Sequence, residues 1–380
     1  MNLILTDIKE IREQLLPLTF TRPTAMLPCG IGTIAGRWPQ LLPGAEVSFQ
    51  TEPYLQELFP LKEAVDSIWI AGHVIPDSEL ATHVAGLLPG EWIADSTGQW
   101  IARRGEAEGP AKLTMQVKAY RQLPNIFQLS KDLITADFDF VTDGRKSEPL
   151  PETSTLIGPA DRLFIEKGAT VEGVTINTKM GPVYIGARAD VQECVVLRGP
   201  IAIGADCRVR AGARLLPGVN LLPDNRVGGE ISNTVFLGHS NKQHDGFLGD
   251  AVVGQWCNLG AGCTASNLKN DYSLIRLWSY PEQKFARTPW QFCGLIMADH
   301  CKAAIGTMFN TATIVGPGCN IHGAGFPRTY IPAFSEGGAQ GFKRANLKKF
   351  MATATEMMSH RGITLTDADA RMLQYLFDHA

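Results

Sequence analysis

Residues 183–222 read VYIGARADVQECVVLRGPIAIGADCRVRAGARLLPGVNLL, and their spacing decides the fold of the C-terminal part of the chain. Seven aliphatic residues stand six apart: Ile185, Val191, Leu197, Ile203, Val209, Leu215 and Leu221. Four positions after each, as far as Leu215, comes a small or β-branched residue: Ala189, Val195, Ile201, Cys207, Ala213 and Val219. An α-helix repeats at 3.6 and a strand at 2, so neither buries both sets. A sustained period of six predicts a hexapeptide β-helix, each hexad forming one short face of a triangular coil with the aliphatic side chains stacked inside. The glycines after Ile185 and Ile203 suit turns that need φ > 0.

The repeat extends in both directions. Ile165 and Val171 begin it; Phe247, Val253 and Leu259 resume it; Ala303, Phe309, Val315 and Ile321 continue it. A solenoid is expected over 156–338, with two excursions, 223–246 and 268–294, looping out of it. Insertions of this kind gather on one face, often the binding face. The second excursion carries Tyr272, Arg276, Trp278, Lys284, Arg287 and Trp290 and reads as an arm that reaches a neighbouring subunit.

Residues 1–150 lack the period. Short apolar runs (Leu3–Leu5, Ser67–Ala71, Glu91–Ala94) alternate with polar or helical stretches, which suits an α/β domain on a mixed sheet. Segment Ser147–Thr155 is the expected linker. In the tail 341–380, Thr366 and Asp369 form a capping-box pattern before Met372, Leu373, Leu376 and Phe377, predicting an amphipathic helix that caps the open solenoid core.

A net charge of −3 with 19% charged residues gives no footing for nucleic acid or an anionic membrane as main partner. No apolar run reaches the ~18 residues of a membrane span, and no leader pattern opens the chain. Eight cysteines without a CxxC pair give no zinc signature. Cys207, Cys257 and Cys263 fall at inward hexad positions, as small hydrophobes. The expected compartment is the cytoplasm.

Two stretches carry a family resemblance. Lys242-Gln-His244-Asp-Gly-Phe-Leu-Gly-Asp-Ala251, followed by Asn258-Leu-Gly-Ala-Gly262 and Asn267, resembles the acetyltransferase half of the bacterial bifunctional enzymes that make UDP-N-acetylglucosamine. Pro17-Leu-Thr-Phe-Thr-Arg22-Pro23-Thr-Ala-Met-Leu-Pro28 resembles the segment after the nucleotide loop of sugar-phosphate nucleotidyltransferases. Together they resemble the bifunctional sugar-1-phosphate nucleotidyltransferase/acetyltransferase (GlmU-like) family, in its branch with a shortened LPLTFTRP start. The resemblance implies an α/β nucleotidyltransferase-like domain joined to a left-handed hexapeptide β-helix, acetyl-CoA as acyl donor, a sugar phosphate or nucleotide-sugar as acceptor, and a homotrimer. The chain departs from the family where Thr6-Asp-Ile-Lys-Glu-Ile-Arg-Glu-Gln14 replaces a glycine-rich loop. Without glycines, backbone N–H groups cannot come close to a triphosphate.

The candidate site follows from chemistry and resemblance together. Acyl transfer to an amine needs a proton acceptor near neutral pH, and His244 sits among polar residues where it can serve as general base. Asn258 and Asn267 can hold a sugar or polarise a carbonyl, or act as turn caps. Lys242, Arg214 and Arg226 are cations for a substrate phosphate. Gly260, Ala261 and Gly262 leave bare backbone for the carrier arm, with Thr307 nearby. In the N-terminal domain Arg22, Arg12 and Lys9 are the available nucleotide-binding cations, and Asp7 is the best-placed carboxylate for Mg²⁺. The leading expectation is acetyl transfer at His244. The alternative is a Mg²⁺-dependent sugar-1-phosphate nucleotidyltransferase (UTP or dTTP) whose β-helix is a trimerising or regulatory scaffold.

Overall fold

The structure, a computed structural model, describes residues 1–379. The N-terminal domain is built on a six-stranded mixed sheet. Its strands are β1 (Asn2–Thr6), β2 (Glu46–Gln50), β3 (Ile68–Ala71), β4 (Trp92–Asp95), β5 (Trp100–Arg104) and β6 (Leu113–Met115), in the order β2-β1-β3-β5-β4-β6. The first three run parallel and β5 is antiparallel to both β3 and β4. Helices α1 (Lys9–Gln14), α2 (Ile34–Leu41), α3 (Ser78–Ala85), α4 (Asn125–Gln128) and α5 (Ser130–Thr142) complete it. Leu3, Ile4 and Leu5 are all buried, as a strand covered on both faces requires.

From Thr155 to Gly338 the chain winds into a parallel β-helix. Registers such as Val183↔Ile201 and Asp190↔Arg208 show coils of 18 residues, three hexads each. Every aliphatic hexad residue from Ile185 to Leu221 is at most 1% exposed, and the small partners fill the spaces between them. The three faces are conveniently followed by their outward residues. The first face carries Asp190, Arg208, Arg226, Asn241, Asn258 and Lys302. The second carries Val196, Arg214, Glu230 and Phe247. The third carries Tyr184, Ala202, Asn220, Val235, Val252, Ile296 and Ile314.

Two expectations change here. Gly186 and Gly204 do not have positive φ; a Cβ on either would come within 2.7 Å of the backbone of the next coil, so their role is close approach. The left-handed corner residues are instead Arg188, Asp206, Asp224, His239, Trp256 and His300, with φ between 54° and 60°. Residues 223–246 do not loop out. Registers Arg226↔Asn241 and Asn241↔Asn258 are coils shortened to 15 and 17 residues, which breaks the period in sequence while leaving the solenoid intact.

The excursion 268–294 does leave the coil, but it does not project. Its hairpin (Arg276–Ser279 with Lys284–Arg287) folds back on its own chain. Trp278 stacks on Tyr330 at 3.9 Å and Tyr280 meets Phe20 edge-on at 5.5 Å. Ile275, Leu277 and Cys293 find cover in the cluster shared with the N-terminal domain and the third face, while Tyr272, Leu274 and Phe292 stay exposed.

The third face is the seam of the molecule. Val235, Val252, Ile296 and Ile314 point outward, yet each is at most 1% exposed, because they join one apolar cluster with Leu3, Ile70 and Phe127 of the N-terminal domain. Below them α5 covers Phe164 and Tyr184 through Phe138. Asn220 donates to the Gly30 carbonyl at 2.7 Å. Higher up, Arg22 pairs with Asp299, which also accepts from Thr21 Oγ1 at 2.8 Å.

Helices α6 (Leu347–Ser359) and α7 (Asp367–His379) close the C-terminal end. The capping box forms as expected, with Asp369 N–H donating to Thr366 Oγ1 and Thr366 N–H to the Asp369 carboxylate, both at 3.1 Å. Met372, Leu373 and Leu376 pack on Phe334 of the last coil and also on Leu55 of the N-terminal domain, so the cap doubles as a second tie between the domains.

Replacing Asp299 by alanine leaves the buried Arg22 guanidinium without its carboxylate. Such uncompensated burial costs about 3–5 kcal/mol. Urea unfolding of Asp299→Ala is expected to show that loss in a single shared transition; a change under ~1 kcal/mol, within the range of an exposed pair, would contradict the seam.

Candidate functional site

His244 lies on the corner between the first and second faces, directly after the strand Asn241–Lys242. It is exposed, and among the described residues its ring makes no hydrogen bond. The next two coils place residues 260–262 and 304–306 along the same edge, as the bonds from Gly262 N to Asp245 O (3.1 Å) and from Gly306 N to Ala261 O (2.7 Å) show. A Cβ on Gly306 would meet nothing within 4 Å, and one on Gly262 would meet only Gly306. The edge beside His244 is therefore bare backbone, flanked by Ile305, which is 78% exposed. Gly260 is different: a Cβ there would lie 2.7 Å from Ile305 N, so this glycine is a packing requirement. Thr307 is buried, its hydroxyl donating to Ala304 O at 2.7 Å, which makes it a corner brace.

The remaining sequence candidates scatter. Lys242 is fully buried: its register partner is the inward Val227, and its ammonium donates to the carbonyls of His244 and Gly228. Burial pushes its pKa down. It braces the His244 corner from inside and cannot meet a substrate phosphate. Arg214 is exposed on the second face, paired with Glu230 at 3.2 Å. Asn267 donates to Asp250 Oδ2 at 2.7 Å, while Asn233 donates to Oδ1 at 2.6 Å. Arg226 and Asn258 sit on the first face beneath α6. Asn258 Oδ1 accepts from Asn241 at 3.3 Å, one rung of an amide ladder.

The nucleotide candidates of the N-terminal domain are spent on structure. Arg12 is buried and donates to Thr19 O at 2.7 Å and Tyr54 Oη at 2.8 Å, with Asp7 at 3.4 Å. Arg22 is held by Asp299 and by Gln255 at 3.0 Å, in the seam. Lys9 points to solvent, 77% exposed, beside Glu13. Asp7 accepts from Thr24 N at 2.8 Å and Thr51 Oγ1 at 2.6 Å, and burial raises its carboxyl above the usual carboxylate range. Both oxygens already accept hydrogen bonds from the protein, an arrangement that fits Mg²⁺ poorly. The physical reason lies in the residues that replace the glycine-rich loop. They form α1, and Arg12 fills the space at the end of β1.

Residues 3–146 match the family described as sugar nucleotidyl transferase. A bifunctional protein GlmU of Ralstonia pickettii is 40% identical over 97 residues, covering 22% of this chain and 21% of that protein. The chain is similar to the bifunctional GlmU proteins. The GlmU of Cupriavidus pinatubonensis is 42% identical over 67 residues, covering 17% of this chain and 15% of that protein. That of Staphylococcus haemolyticus is 27% identical over 130 residues (30% and 28%). The matched stretches thus span under a third of these relatives' length. Among solved structures, UDP-N-acetylglucosamine O-acyltransferase of Moraxella catarrhalis aligns over 60% of this chain and 96% of its own, at 10% identity and a TM-score of 0.22.

Three residues along the groove between the first face and α6 went unread in the sequence: Lys302, His300 and Arg361. Lys302 follows the outward pattern of the first face and could have been found by it. The other two depend on the corner geometry and on where α6 ends.

At the end of β3, His73 is buried with both ring nitrogens unpartnered, and burial lowers its pKa to about 4. A neutral buried histidine contributes full stability above its unfolded pKa near 6.5 and loses it as pH falls toward the folded value, at about 1.4 kcal/mol per pH unit. His73→Leu is expected to shrink the difference between urea stabilities at pH 7 and pH 4.5 by about 2 kcal/mol. An unchanged difference would show that His73 is protonated in the fold.

Proposed function

We propose that the chain is a transferase of nucleotide-sugar biosynthesis that moves an acetyl group from acetyl-CoA to an amino-sugar phosphate or nucleotide-sugar. The observation that carries this reading is the free imidazole of His244 at the head of a bare backbone edge. The pantetheine arm of the donor would lie along residues 261–262 and 305–306, with Ile305 offering it an apolar wall. His244 would accept the proton of the acceptor amine as its nitrogen attacks the thioester carbonyl. The C–N bond forms, the C–S bond breaks, and the thiol is released. Lys242 would serve as a positioning residue, fixing the His244 carbonyl and hence the corner.

The match of residues 3–146 to sugar nucleotidyl transferases favours a second reading, nucleotidyl transfer in the N-terminal domain. The engagement of Arg12, Arg22 and Asp7 in structural contacts speaks against it. On the first reading that domain is a scaffold sealed to the solenoid. A general base contributes typically 10²–10⁴-fold. His244→Ala is expected to lower acetyl-CoA turnover with glucosamine 1-phosphate by that factor while leaving the unfolding midpoint in place; unchanged turnover would remove His244 from the mechanism.

The exposed apolar residues Ile305 and Met308, on or next to the His244 edge, suit a site completed by a second copy of the chain. We propose a cytoplasmic homotrimer, for which sedimentation equilibrium at micromolar concentration is expected to give three times the chain mass. A monomer would sink the shared site.

A further inference from the structure

Between the first face of the solenoid and α6 runs a groove that the acetyl-transfer reading does not use. Its floor is Arg226, Asn241, Asn258 and Lys302, and its wall is α6 with Lys349 and Thr353. Lys302, Lys349 and Thr353 also line a second, more enclosed cavity that continues it, ending on His300, Phe350 and Ala354. The two form one channel, cationic and amide-lined at its mouth and apolar at its inner end.

The charge is not matched from within. Arg208, one coil below, is paired with Asp190 at 3.0 Å, but among the described residues Arg226 and Lys302 have no carboxylate partner. Lys302 is anchored by the Trp256 carbonyl at 2.7 Å. Two carboxylates also line the channel: Glu356, 3.1 Å from the His360 ring, and Glu336, 3.7 and 3.8 Å from Lys343 and Lys349. Arg361 holds the end of α6 to the solenoid through Asp224 and, at 2.7 Å, Asn241. At the inner end His300 is 7% exposed with Nδ1 buried and unpartnered, one face near Trp256 and Phe350 edge-on at 6.0 Å. A buried nitrogen without a partner is the kind of group a ligand satisfies.

We propose that this groove binds a nucleotide, with its phosphates on Arg226 and Lys302 and its base in the inner cavity beside Phe350 and His300. Arginine and lysine facing a shared void favour phosphate, and a flat, largely apolar end wall with one polar nitrogen favours a nucleobase over a sugar. The site is formed within one chain. It is separate from the His244 edge, although Asn241 and His244 are only three residues apart, so an occupied groove could set the rate at that corner.

Isothermal titration of the full chain with ADP, UDP and inorganic pyrophosphate tests it. A nucleoside diphosphate is expected to bind more tightly than pyrophosphate. Arg226→Gln should weaken both at least tenfold, Phe350→Ala should weaken only the nucleotide, and His244→Ala neither. Thr353→Glu, on the exposed side of α6, places a negative charge in the channel without touching the core and should also weaken both. No binding of any of the three probes, or nucleotide affinity unchanged in both Arg226→Gln and Thr353→Glu at an unaltered unfolding midpoint, would overturn the proposal. So would a tenfold loss in His244→Ala, which would move the ligand to the corner.

Discussion

The rest of the structure depends on the apolar row that the third face of the solenoid turns outward. A β-helix coil normally presents polar residues to water, as the first face does with Asp190, Arg208, Asn241 and Asn258. On the third face Val235, Val252, Ile296 and Ile314 are apolar, and each fully buried side chain of this size contributes about 1.5–3 kcal/mol. That row requires a partner, and the N-terminal domain is it. Once the seam is closed, the Arg22–Asp299 pair is desolvated within it and becomes costly to break.

The seam explains where chemistry can and cannot reside. Residues after β1 that would face a nucleotide in an open domain are drawn into packing, with Arg12 under Tyr54 and Arg22 against the solenoid. The third face is covered by the N-terminal domain and the hairpin, and the first by α6. The second face stays open with its exposed Arg214–Glu230 pair, as does the corner of His244 with the edge above it, where glycines leave the backbone uncovered. Exposure follows from the packing that surrounds the corner.

Much of this was legible in the sequence, for identifiable reasons. The inward residues from Ile185 to Leu221 repeat at a period no other fold shares, so the solenoid could be read directly. The shortened coils at Arg226–Asn258 could not, because the loss of three residues from one coil and one from the next destroys the period while hydrogen bonding between coils survives. The seam was written as doubled apolar pairs, Val235-Phe236, Val252-Val253, Ile296-Met297 and Ile314-Val315, in which one residue faces in and the other out. Reading the first residue of each pair locates the face that the N-terminal domain covers. The site was harder. His244 stands at an exposed corner, as its polar neighbours in the sequence suggest, but Lys242 is buried, since a lysine on an inward position looks like any surface cation until the coil register is known.

The central claim is that the solenoid corner carries the chemistry and the N-terminal domain supports it. Hydrogen–deuterium exchange of the full chain, with acetyl-CoA and separately with UTP and Mg²⁺, tests this most directly. The account predicts that acetyl-CoA slows exchange at residues 243–246, 260–263 and 304–307, and that UTP with Mg²⁺ leaves residues 6–28 unchanged. Protection of residues 6–28 by UTP, with none at the corner from acetyl-CoA, would contradict it.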